Sequence, residues 1–159
     1  MYTYRITKYN PKYRNKTGAY TKNEWTEFAD IGKNFDGKVL TKTKYMKVED
    51  AYVKVLLSFL EESGISAMKI NRIQNAKSVK YKNQQIRRNQ VCSLSDLEHL
   101  FKLILRGEFW CKFKNKDGSY VDFGWDYYSY IGVPKQCKKS IALAKRLKLY
   151  AEKFPEPIL

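Results

Sequence analysis

Between Tyr45 and Leu60, apolar residues return at steps of three, four and seven: Tyr45, Val48, Tyr52, Val55, Phe59 and Leu60. Met46, Leu56 and Leu57 broaden the stripe. This spacing predicts an α-helix over 43–62, with Thr43 as its cap and Gly64 as its stop. A stripe so wide must lie on another apolar surface. The flanking segments can supply one, because their pattern has a period of two. Tyr2, Tyr4, Ile6 and Lys8 share one parity, and Thr3, Arg5, Thr7 and Tyr9 the other, which reads as a strand closed by Asn10-Pro11. Ile65 to Ala76 reads as a second strand, with Met68 and Ile70 flanked by Lys69 and Arg72.

The remaining pattern extends this α+β reading. Residues 11–20 look like a basic loop. Thr21-Lys22-Asn23-Glu24 has capping-box spacing and predicts a short helix carrying Trp25 and Phe28 and ending near Gly32. A helix from about Leu94 to Leu105, capped by Ser93 or Ser95, buries Leu97, Leu100, Phe101 and Ile104 and stops at Gly107. Phe109 to Lys114 and Tyr120 to Tyr130 read as a β-hairpin about Asp117-Gly118, a pair that supplies the positive φ angles of tight turns. Pro134 breaks that strand. A last helix is expected from about Gln136 to Phe154, burying Ile141, Ala144, Leu147, Ala151 and Phe154. The expectation is one α+β domain over 1–159, a mainly antiparallel sheet with about three principal helices.

Charge narrows the partners. Lys and Arg number 31 against 16 Asp and Glu, a formal charge of +15, which works against compactness through self-repulsion. Such a balance points to a partner rich in negative charge, either nucleic acid or the acidic face of another protein. With 43% hydrophobic residues and 15% aromatics, the chain can bury a sizeable core. The segment from Met1 to Lys8 holds no apolar run of the signal-peptide kind, and no stretch approaches the roughly eighteen apolar residues of a membrane span. Cys92, Cys111 and Cys137 are odd in number and widely spaced, which argues against a disulfide framework and a zinc site and fits reduced thiols. A soluble cytoplasmic domain without cofactor, metal or membrane partner is expected.

Catalytic constellations are sparse. His99, the one histidine, lies off the apolar stripe of its helix and reads as a surface residue. Glu24, Glu27 and Asp30 would be neighbours on a helix, as paired carboxylates for acid–base work or as a cap with two solvated acids. Asp122 and Asp126, four apart in a strand, would share a face and pair with surplus Lys and Arg. No enzyme activity is expected.

Two segments have the composition of binding surfaces. Between Ser63 and Ser95 there is no acidic residue, while Lys69, Arg72, Lys77, Lys80, Lys82, Arg87 and Arg88 accumulate around Tyr81. That mixture either contacts phosphates and stacks on bases or is a solvated basic loop. Phe123-Gly124-Trp125-Asp126-Tyr127-Tyr128-Ser129-Tyr130 is dense in aromatics. As one strand it would send Phe123, Trp125 and Tyr127 to one face and Tyr128 and Tyr130 to the other, for either a protein interface or packing on both sides.

Several islands resemble small bacterial immunity proteins of polymorphic and contact-dependent growth inhibition toxin systems. They are Tyr4 to Pro11, Glu24-Trp25-Thr26, Asp30-Ile31-Gly32, Leu105-Arg106, Trp110-Cys111 and Phe123 to Tyr128. The resemblance implies a cytoplasmic inhibitor that binds a protein toxin and catalyses nothing. Many that neutralise basic nucleases are acidic, so a chain this basic is expected to meet an acidic toxin surface. Trp125, Tyr127 or Tyr128 would anchor the partner, with Lys80, Tyr81, Lys82, Arg87 and Arg88 at the rim. The alternative is an RNA- or DNA-binding module centred on 77–88.

Overall fold

The computed structural model describes residues 1–158. In chain order its elements are β1 (Tyr2–Thr7), β2 (Asn34–Phe35), β3 (Lys38–Val39), α1 (Lys42–Glu62), β4 (Ala67–Gln74), β5 (Lys80–Tyr81), β6 (Gln84–Gln85), β7 (Val91–Ser93), α2 (Leu94–Leu105), β8 (Trp110–Lys114), β9 (Tyr120–Phe123), β10 (Ser129–Val133), α3 (Lys138–Arg146) and β11 (Tyr150–Lys153). Seven strands form one sheet in the order β11-β1-β10-β9-β8-β4-β7, with every neighbouring pair antiparallel. The fold is α+β, as its periodicities predict. No helix among the described residues is long and apolar enough to cross a membrane.

The two sheet faces differ in kind. Tyr4, Ile6, Ile131, Val133, Val121, Phe123, Phe113, Met68 and Ile70 join the side chains of α1 and α2 in one core, where Tyr52, Phe59, Leu60, Leu97 and Phe101 are fully buried. The opposite face carries a polar row directly across the strands. Glu152 stands opposite Arg5, Arg5 opposite Tyr130, and Tyr130 opposite Asp122; Lys112 lies opposite Arg72 and within 3.8 Å of Asp122. Two residues further along, Tyr120 lies over Gly132, where a Cβ would sit 2.2 Å from the ring, so only glycine fits there.

Four expectations are corrected. The helix expected at 21–32 is a loop with one 3-10 turn at Phe28–Asp30. Its capping groups are engaged elsewhere: Thr21 donates to the Tyr13 carbonyl, and Glu24 accepts from the Tyr20 hydroxyl. α1 begins one residue before Thr43, with Thr41 as its cap. The run from Tyr120 to Tyr130 is two strands, β9 and β10, joined by a tight turn in which Asp126 and Tyr127 have φ of 55° and 66°. Asp122 and Asp126 therefore share no strand face. The last helix stops at Arg146, because Lys148 takes a left-handed φ of 61°. Leu149 then donates to Ala144 and Lys148 to Lys145, the two bonds of a Schellman stop, and the chain returns as β11 beside β1.

Candidate functional site

Trp125 is 90% exposed, an unusual position for so large an apolar side chain. It stands on the β9–β10 turn, closed by the Tyr128 N–H to the Trp125 carbonyl at 3.2 Å. Two residues on, Tyr127 points the other way. Its ring is buried against Tyr52 (4.8 Å between centroids), Trp25 (5.0 Å) and Tyr45 (5.9 Å). Its hydroxyl donates to Tyr45 at 3.0 Å, and Tyr45 donates to Glu49 at 2.7 Å. Two Arg106 nitrogens each reach a Glu49 oxygen at 2.8 Å. Tyr127 is therefore the root of the turn and not a surface anchor. The reading by strand parity does not apply, because a turn replaces the strand.

Tyr128 is half-buried and lies among cations and rings. Arg5 stacks over it at 4.7 Å, Arg14 donates to its hydroxyl at 3.2 Å, and the Tyr9 ring lies 5.3 Å away. From this turn three depressions of 430, 360 and 600 Å³ follow the segment Tyr20–Ala29. The first and second share Thr26, Asp126 and Tyr128, and the second and third share Tyr20, Lys22 and Glu24, so they form one groove. Trp125 borders one end. Lys8, Lys22, Lys38 and Lys44 line the other, against Glu24 and Asp36.

Lys8 forms part of that far wall. Its side chain is only 7% exposed, with the ammonium above the Tyr9 ring (4.1 Å) and the Trp25 ring (4.2 Å). The Glu24 carboxylate is 3.7 Å away, beyond hydrogen-bond reach, and the Lys8 ammonium has no hydrogen-bond partner among the described residues. Burial lowers the amine to about 8, although Glu24 and Asp30 pull it upwards.

The basic segment lies elsewhere. β5 and β6 form a small hairpin, turned by Lys82 and Asn83 at φ 52° and 61°. Lys82 pairs with Asp96 in the first turn of α2 at 3.1 Å, and Tyr81 sits 5.8 Å from the His99 ring. Lys80, Arg87 and Arg88 are exposed, while Tyr81 is half-buried. The groove meets α2 at its other end, near Arg106. A twelve-residue helix is about 18 Å long, so these residues do not rim the Trp125 end.

The three N-terminal carboxylates do not converge on a catalytic pair. Asp30 is buried and accepts from the Thr26 N–H and Lys33, Glu24 faces Tyr20 and Lys8, and Glu27 is exposed. No group of three or more His, Cys, Asp or Glu side chains among the described residues is arranged to hold a metal. Lys22, Lys38, Lys44 and Arg14 escaped the sequence reading. One signal was available: Asp36-Gly37, the same dipeptide as at 117–118, turns the β2–β3 hairpin that carries Lys38. Comparison with protein families, curated proteins and solved structures finds no match to this chain.

Proposed function

We propose that this chain is an intracellular binding protein that neutralises an acidic protein partner, a toxin of the kind immunity proteins restrain. The observation that carries the reading is Trp125, held out on a turn whose root is locked in the core, at one end of a groove lined by four lysines at the other. A rigid exposed aromatic anchors an interface at low entropic cost, and surrounding charge steers the partner. The resemblance of Tyr4 to Pro11 and Phe123 to Tyr128 to immunity proteins points the same way, and both segments border this groove. The protein acts by occupying its partner and performs no chemistry of its own. Coexpression with the product of a neighbouring toxin gene tests this directly: rescue of growth and copurification are expected. Growth arrest without any complex sinks the reading.

The exposed Lys80, Arg87 and Arg88 keep nucleic acid as the second reading. Filter binding of mixed RNA at two ionic strengths separates the two. Micromolar, salt-sensitive binding that is lost in Arg87→Glu/Arg88→Glu would place RNA first.

A further inference from the structure

The polar face of the sheet is covered by a strap, Phe154 to Ile158. The Phe154 ring packs on Tyr130 (5.5 Å) and under Arg5 (4.3 Å). Two residues later, Glu156 takes Lys112 at 2.9 Å and Lys114 at 2.8 Å. The Phe154 N–H bonds Thr3 at 3.2 Å, and among the described residues no backbone–backbone hydrogen bond holds 155–158. Pro155 and Pro157 have no N–H to give, and Ile158 is fully exposed.

Beneath the strap lies more polar machinery than a cover needs. The side chain of Lys112 is 9% exposed, and Asp122, 3.8 Å from it, is 1% exposed. Asp122 Oδ2 and the Tyr120 hydroxyl are buried and have no hydrogen-bond partner among the described residues. Burial holds the Asp122 carboxyl above its usual range, opposed by the Phe123 N–H and Lys112. Both orphaned groups lie close enough to Glu156 to feel its charge. A sheet face that only had to be covered would be cheaper if it were apolar, since each buried unpaired polar group costs stability.

We infer that this face is a docking seat for an acidic peptide segment of a partner, one bearing an aromatic residue two positions before a carboxylate, and that the strap is its tethered competitor. The aromatic ring takes the place of Phe154 between Tyr130 and Arg5. The carboxylate takes the place of Glu156 between Lys112 and Lys114. Removing Glu156 leaves Lys112 and Lys114 with Asp122, a surplus of positive charge that favours an incoming anion. None of these six seat and strap residues lines the Trp125 groove, so the inference stands or falls separately from the reading proposed for that groove.

The probe is a fluorescein-labelled peptide, Phe-Pro-Glu-Pro-Ile, followed by anisotropy. In the intact chain the strap competes at an effective concentration on the order of millimolar. The full-length Phe154→Ala/Glu156→Gln variant is expected to bind the peptide at least tenfold more tightly than the intact chain. A peptide with Gln in place of Glu is expected to bind at least tenfold more weakly, and Lys114→Ala in the released variant to lose the gain. Glu156→Gln alone, a nearly isosteric change at a part-exposed site, repeats the comparison should the double variant fail to fold. No gain on release, or equal affinity for the Glu and Gln peptides, overturns the inference.

Discussion

The Tyr127 hydroxyl starts a buried chain of donors that runs through Tyr45 to Glu49, where Arg106 closes it. Glu49 is fully buried, whereas Arg106 keeps partial contact with water. Tyr127→Phe removes one buried hydrogen bond and is expected to cost about 1 kcal/mol. Tyr127→Ala also empties an aromatic site, at about 3–5 kcal/mol. Trp125→Ala should change stability by no more than about 0.5 kcal/mol, yet weaken partner binding by about 2 kcal/mol, roughly thirtyfold. Chemical denaturation and calorimetry on the three variants check this contrast; a Trp125→Ala protein that unfolds early would make that residue structural. Lys8 gives a test in pH. In the fold its amine is charged below about 8, and in the unfolded chain below 10.5, so between those values the unfolded state holds the extra proton. The Lys8 penalty is therefore complete below pH 8 and fades as pH rises towards 10.5. Lys8→Met is expected to stabilise the protein at pH 7 by up to about 3 kcal/mol, with the advantage shrinking by pH 10. A gap that stays constant with pH would show the amine is not depressed.

At the scale of elements, the stops decide where the chain departs from its pattern. α1 and α2 end at Gly64 and Gly107, each at positive φ, and both ends are readable in the sequence. α3 ends in the same way, but at Lys148, where nothing marks a stop. The helical spacing of Ala144, Leu147 and Ala151 therefore runs past the true end, and β11 is hidden inside an expected helix. A left-handed residue other than glycine carries a penalty of about 1–2 kcal/mol. Lys148→Gly is expected to recover about 1 kcal/mol, visible as a higher melting temperature with unchanged circular dichroism. The β9–β10 turn repeats the lesson. Asp126-Tyr127 adopts the conformation that Asn-Gly or Asp-Gly adopts readily, and burial of the Tyr127 ring holds it there.

For the whole molecule, surplus charge is divided between places that do different work. The basic hairpin at 80–85 and the lysine end of the groove lie on different parts of the surface, and Lys112 and Lys114 are already paired under the strap. Association with an acidic partner is expected to slow roughly tenfold or more between low and high salt, with a smaller change in dissociation. Stopped-flow mixing measures this, and a salt-independent rate would remove charge from the recognition step. The sequence by itself determined α1, α2, the β8–β9 hairpin and the α+β class, because helical and strand periods and Gly stops are local signals. It also marked Trp125, Tyr127 and Tyr128 as candidate anchors, of which Trp125 is exposed, Tyr128 half-buried and Tyr127 buried. Only the tertiary structure decided that Tyr127 is buried, that 150–153 is a strand, that 21–32 is a loop, and that Lys8, Lys22, Lys38 and Lys44 share a groove. Two of those outcomes depend on a partner distant in the chain, Tyr45 for Tyr127 and β1 for β11, and a third on the separate segments that bring Lys8, Lys22, Lys38 and Lys44 together. No periodicity within a segment records such a partner, because the energy that fixes it appears only when the two are packed together.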